Sequence, residues 1–217
     1  MHRLRCIAPD TFQPGVLVPY RAVMLLVVVA AGIACTRSSN SSQPSAVPAP
    51  APAPASNEPQ LMTGLAGHHH TIATGSKEAQ AFFDQGFTLV YAFNHDEAVR
   101  SFQRAAALDP KAAMPYWGIA WAVGPNYNLD IDDPRAKQAY EAIERAKALA
   151  GSAPSVERDY IEALSVRYSA NPKADRVALA QQYSKAMGDL MRRYPDDLDA
   201  ATLYAESLMN LRPWKLW

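Results

Sequence analysis

From Ser76 onward, apolar residues return every three or four positions, in stretches separated by short breaks rich in Gly, Pro, Asn and Asp. That spacing puts them on one stripe of an α-helix. It predicts a helix over about 76–93, with Ala79, Phe82, Phe83, Gly86, Leu89 and Val90 on the stripe. A second, 94–108, is opened by Asn94 as N-cap, with Glu97 in the capping-box position. A third, 112–123, carries Tyr116, Trp117, Ala120 and Trp121 and stops at Gly124-Pro125. Asp133, followed by Pro134, caps a fourth that runs to about 150, where Gly151 ends it. Three more are expected over about 155–168, 174–193 and 198–211, broken at Asn171-Pro172 and at Tyr194-Pro195-Asp196-Asp197. Runs of β-branched residues are almost absent, so the expected fold class is all-α.

The first two helices carry a further pattern. A large apolar residue, Phe82, is followed by Gly86 and Leu89; after the Asn94-His95 turn come Ala98, Phe102 and Ala105, and Pro110 closes the unit. Small residues at 86, 98 and 105 let two helices of a hairpin approach closely, while Phe82 and Phe102 fill the space between neighbouring hairpins. These intervals resemble those of the tetratricopeptide repeat, whose period is about 34 residues. The match is fullest over 79–112; beyond it, the second repeat carries an insertion at 124–132 and the third has an overlong second helix. The resemblance implies antiparallel helical hairpins stacked as a TPR-like α-solenoid over 61–217. It also implies a non-enzymatic role, with a concave face that binds another protein or peptide. Under it, Phe82, Gly86, Leu89, Ala98, Phe102, Ala105 and Pro110 are packing positions, and Tyr116, Trp117 and Trp121 are the candidate peptide contacts. Arrays end on a helix with a polar outer face. The seventh helix here is apolar, so the chain reads as the N-terminal part of a longer array, similar to long bacterial tetratricopeptide lipoproteins.

Ahead of the helices the composition changes. Ala22–Ala34 is an apolar run preceded by Arg21; it is too short to cross a bilayer, which takes about 20 residues, and its length suits the core of a signal peptide. It ends Gly32-Ile33-Ala34-Cys35, which resembles a bacterial lipoprotein signal with Cys35 as the lipidated residue. Residues 36–60 are rich in Ser, Asn, Pro and Ala, a solvated and semi-rigid tether with nothing to bury. Signal 1–35, tether 36–60 and domain 61–217 together describe an exported protein held on the periplasmic side of a membrane. Thr36 after the cysteine favours the outer membrane of a diderm cell. The long segment before Arg21 is what an upstream start codon would add.

Charge narrows the partners. The chain has 21 Lys and Arg against 21 Asp and Glu; leaving out Arg3, Arg5, Arg21 and Asp10 gives 18 and 20, a net of −2. No clustered basic face marks a nucleic-acid site. Cys6 and Cys35 fall in the signal segment, so the folded part has no disulfide. No GxxxxGK[ST], GxSxG or HExxH motif occurs. Asn126-x-Asn128-x-Asp130-x-Asp132 starts like a calcium loop, but Ile131 stands where Gly is needed and Lys137 where Glu is; those oxygens read as turn and cap acceptors. The pointed feature is His68-His69-His70 with His95. Imidazoles suit transition metals, and a metal-binding or metalloenzyme module with these four, completed by Glu97 or Glu206, is the alternative function.

Overall fold

Ser76 opens the first helix, its hydroxyl accepting the Ala79 N–H at 3.1 Å. The computed structural model describes residues 58–65 and 67–213, all within the second of the chain's two units, Pro52–Trp217. The expected signal segment with Cys35, the expected tether through residue 57, Ala66 and the terminal residues 214–217 lie outside the described residues. Among the described residues there are seven α-helices and no strand: α1 (Lys77–Tyr91), α2 (His95–Leu108), α3 (Met114–Val123), α4 (Asp133–Leu149), α5 (Ser155–Ser165), α6 (Arg176–Arg193) and α7 (Leu198–Asn210), with a 3₁₀ turn at Ala150–Ser152. The all-α class is therefore observed. None of these helices is long and apolar enough to cross a membrane. Each packs on the next along the chain, and α3 also packs on α1 and α5.

The core explains the small residues. Phe102 on α2 is fully buried between two glycines. A methyl group on Gly86 of α1 would lie 2.7 Å from its ring, and one on Gly118 of α3 would lie 2.6 Å from it. A single ring thus sets how closely α2 meets both neighbours. Phe82, Leu89, Ala98 and Ala105 are buried with it, and Pro110 is exposed in the turn. The pattern repeats further on. Met114, Gly118 and Trp121 reproduce the spacing of Phe82, Gly86 and Leu89, and Ala139, Ile143 and Ala146 reproduce that of Ala98, Phe102 and Ala105. All six are buried. The added residues of the second hairpin fall in the 124–132 loop.

Several element ends differ from the sequence reading. Asn94 does not cap α2 through its side chain. Its N–H donates to the Leu89 carbonyl at 2.9 Å and the Phe93 N–H to Val90 at 3.0 Å, which is a Schellman closure of α1. The N–H that a capping-box Glu97 would accept is therefore already taken, and Glu97 instead pairs with Arg100 at 3.4 Å. That closure puts Phe93 at φ 59°. A bulky side chain in the left-handed region costs roughly 1–3 kcal/mol. Asp132, rather than Asp133, caps α4, its Oδ1 accepting the Arg135 N–H at 2.9 Å. Helix α3 starts at Met114 rather than 112, and α6 starts at Arg176 because Asp175 accepts the Val177 and Ala178 N–H groups. Helix α5 ends at Ser165. There the Arg167 and Tyr168 N–H groups bond three residues back, to Leu164 and Ser165, and this tighter turn carries both side chains inward.

Tyr168 then donates to the Ala120 carbonyl at 2.7 Å, and its burial pushes the phenol pKa up to about 12. Gly124 leaves it room, since a methyl there would lie 2.3 Å from the hydroxyl. Gly124→Ala is expected to cost about 1–3 kcal/mol of stability, a shift of several degrees in a thermal melt; an unchanged melt contradicts this packing.

Candidate functional site

The three adjacent histidines are placed by a strap that crosses α1. Residues 60–65 and 67–75 are not helical, so their backbone groups need partners, and polar side chains of α1 supply several of them. Gln85 accepts the Met62 N–H at 2.7 Å and donates to the Gln60 carbonyl at 3.0 Å. Asp84 accepts the His70 N–H at 3.1 Å, and Gln80 donates to the His70 carbonyl and accepts the Ile72 N–H, both at 2.9 Å. At the far end, Ala73 donates its N–H to Glu157 of α5.

The strap delivers the imidazoles to carboxylates on two helices. His70 Nδ1 lies 2.7 Å from Asp199 Oδ2, and His69 Nδ1 lies 2.7 Å from Asp84 Oδ2. His68 Nε2 is 3.4 Å from Asp199 Oδ1, in an orientation that makes no hydrogen bond. Tyr91 donates to the same Asp199 Oδ1 at 3.0 Å. Rings hold the imidazoles in place: His70 stacks on Phe87 at 5.1 Å and meets the edge of Tyr160 at 5.3 Å, and His68 tilts against Phe87 at 5.0 Å. Asp199 sits in the first turn of α7, where a negative charge is favoured. The preceding Asp197 caps that helix and accepts the Tyr160 hydroxyl at 2.7 Å.

These side chains line an open cavity of about 640 Å³, walled by 68–71, Tyr91, Val156, Glu157, Tyr160, 196–199 and Thr202. Burial works against the charged form of Asp199, but the His70 hydrogen bond and the charges of His68 and His70 hold its carboxyl below the usual range. Glu157 goes the other way. Burial raises its pKa, which the Ala73 N–H and His70 offset only in part, and its Oε2 has no partner. A carboxyl raised in the folded state makes stability fall as pH climbs above the unfolded value of about 4.3. Glu157→Gln keeps the acceptor for Ala73 and removes that loss. The variant is expected to melt higher than the parent at pH 7 and level with it near pH 3.5; a lower melt at pH 7 would mean that the attraction to His70 outweighs burial.

His95 does not join the other three histidines. It lies beyond the end of α1, 3.3 Å from the Asn126 amide, and lines a second cavity of about 220 Å³ with Phe93, Trp121, Tyr127 and Glu206. Burial, then the nearby charge of Arg135, hold its pKa below the ordinary histidine value. Of the carboxylates considered for completing a metal site, Glu97 pairs with Arg100, and Glu206 accepts from Asn210 at 2.8 Å. The carboxylates that the imidazoles meet are instead Asp199 and Asp84, each bonded to an Nδ1. A carboxylate on Nδ1 orients an imidazole so that Nε2 is turned away from it; on His69 that nitrogen meets the Thr71 hydroxyl at 3.1 Å. Among the described residues, however, no group of three or more His, Cys, Asp or Glu side chains is arranged to hold a metal ion.

The aromatics expected at a peptide are mostly inside. Trp117 is buried and donates its indole N–H to the Tyr160 carbonyl at 3.1 Å, so it serves packing. Trp121 is buried but forms part of the smaller cavity. Tyr116 is half-buried beside Arg145. Asn126 Oδ1 accepts the Asn128 and Leu129 N–H groups, the turn role expected of the calcium-like stretch.

The sequence reading missed Asp199, Asp84 and Tyr91. The signal available for Asp84 was a polar run, Asp84-Gln85, in the middle of an apolar stripe. Asp199 looks like any acidic residue in a first helical turn, and its link to His70 spans 129 residues.

Comparison with family models, with curated proteins and with solved structures finds no match for this chain.

Proposed function

We propose that the chain is an exported, lipid-anchored scaffold of the tetratricopeptide type, whose groove along α7 binds an extended segment of another protein. The observation that carries this reading is the adjacency of the two cavities, which share Tyr91 and Thr202 as a common wall. Asp199, Thr202 and Glu206 fall at spacings of three and four on α7 and so lie along one helical face. A polar, acid-lined compartment beside an aromatic one suits successive side chains of an extended peptide. The repeated intervals in α1–α2 and α3–α4, with a glycine on each side of Phe102, support the solenoid reading. Ala22–Ala34 followed by Cys35 and a Pro/Ala/Ser tether supports lipidation and a place on the periplasmic side of a bacterial membrane, the outer one in a diderm cell.

The test is to select linear peptides on the full chain and measure their affinity for two variants. Thr202→Trp fills the shared wall and is expected to weaken binding at least about tenfold, as loss of a buried contact does. Gln103→Trp, on an exposed position of α2, is expected to leave binding unchanged. Equal affinity for both variants contradicts the groove.

One observation favours the metal reading as the alternative: His68 Nε2 and Glu157 Oε2 are both buried without a hydrogen bond on the cavity that Asp199 also lines. Near-stoichiometric metal in untagged protein purified without chelators, lost in His68→Ala/His70→Ala, would establish it.

A further inference from the structure

Three features of the smaller cavity point to one kind of ligand. Its walls are aromatic and set at right angles. Tyr91 and Trp121 meet edge to face at 5.7 Å and 81°, and Phe93 and Tyr127 at 5.6 Å and 87°. Rings in this arrangement offer their negative faces to a cation from more than one side. Next, Glu206 on the cavity wall has one oxygen bonded to Asn210 while the other, Oε2, is buried with no donor. An unsatisfied buried acceptor calls for an N–H or O–H. Finally, Phe93, which the Schellman closure of α1 sets at φ 59°, adds its half-exposed ring to the cavity wall.

We propose that this cavity takes a protonated primary amine on an apolar stem, the chemistry of a lysine side chain. The stem would lie among the rings and the ammonium would donate to Glu206 Oε2. About 220 Å³ suits such a group and is below the usual size for a drug-like ligand. Two cations already act on this wall, Arg135 on His95 and Arg167 on Glu206, and neither hydrogen-bonds Glu206 Oε2. The lowered pKa keeps His95 neutral at neutral pH. Arg167 is buried; its guanidinium lies over the Tyr183 ring at 4.4 Å and donates from Nη2 to the Pro125 carbonyl at 2.7 Å. Tyr168 and Glu206 feel its charge, but neither Nε nor Nη1 is hydrogen-bonded to Glu206 Oε2, which leaves that oxygen open to a further donor. The inference deepens the groove reading by naming the side chain received next to the acidic compartment, and rests on it only for the source of the amine.

The probe is n-butylammonium chloride, titrated into the full chain and followed by calorimetry against n-pentanol, its uncharged analogue of similar shape. The ammonium is expected to bind at least about tenfold more tightly than the alcohol, the preference that a carboxylate and ring faces give a cation. Glu206→Gln is expected to erase that preference. Phe93→Gly relieves the left-handed strain, so it should melt no lower than the parent while losing most of the binding; its loss then cannot be ascribed to unfolding. Equal affinity for the two probes, no binding of the ammonium, retention of the preference in Glu206→Gln, or equal binding of butyltrimethylammonium, which has no N–H, would each overturn the assignment. Amine binding without any peptide binding would leave this site standing and remove the scaffold reading; peptide binding unchanged in Glu206→Gln would do the reverse.

Discussion

Phe102→Ala is expected to remove about 3–5 kcal/mol of stability, the usual cost of emptying a buried aromatic site and a large part of the 5–15 kcal/mol that holds an ordinary domain. The ring is fully buried between α1 and α3, with Gly86 on one side and Gly118 on the other. This geometry also fixes a sign. Gly86→Leu alone should destabilise by about 1–3 kcal/mol through overpacking, because even its first carbon would lie 2.7 Å from the ring. In the Phe102→Ala background the same leucine enters the space the ring has left, so its cost should fall to near zero or reverse. Denaturant unfolding of the four proteins gives the coupling between the two sites. Additive effects would show that α1 and α2 do not meet at this ring.

Asp199→Ala is expected to have the next largest effect, roughly 2–4 kcal/mol, from the loss of charge-assisted hydrogen bonds and the exposure of partners left unsatisfied. Its side chain is 14% exposed and accepts from His70 and Tyr91, with His68 alongside. The effect should depend on pH in a defined direction. A carboxyl whose folded pKa is depressed contributes stability above its unfolded value, about 3.9, and loses it as pH falls through the folded value. The difference between parent and variant should therefore be full at pH 7 and shrink below about pH 4. Asp199→Asn, which keeps the shape and an acceptor for Tyr91, should lie between them. A difference that persists unchanged at pH 3 would show that packing, not the carboxylate, sets the cost.

The helices were legible because each is amphipathic at a fixed spacing and ends on residues with clear backbone preferences. Ser76, Pro134, Gly124-Pro125 and Asp197 each act locally, so sequence alone places them within a residue or two. Asn94 was misread because a capping box and a Schellman closure compete for one N–H, and the choice rests on whether Phe93 can hold a left-handed backbone. Gly86 was legible as a close approach, but the group that approaches is a ring from α2 shared with Gly118, a contact set by how three helices pack. The site was legible by half. Three consecutive histidines announce chemistry, yet their carboxylate partners depend on the strap crossing α1 and on α7 returning to it, and neither leaves a local pattern. His95 resembled a fourth member of that cluster by residue type alone and belongs to a different cavity.

On the proposed function, a partner segment lies along α7, between the histidine–aspartate cluster and the aromatic cavity. Hydrogen exchange of the full chain, with and without a saturating selected peptide, tests it most directly. Protection confined to amides in 86–95 and 198–209 is the result expected of the groove. Protection on α2 or α4 instead, or none while the peptide remains bound, would contradict it.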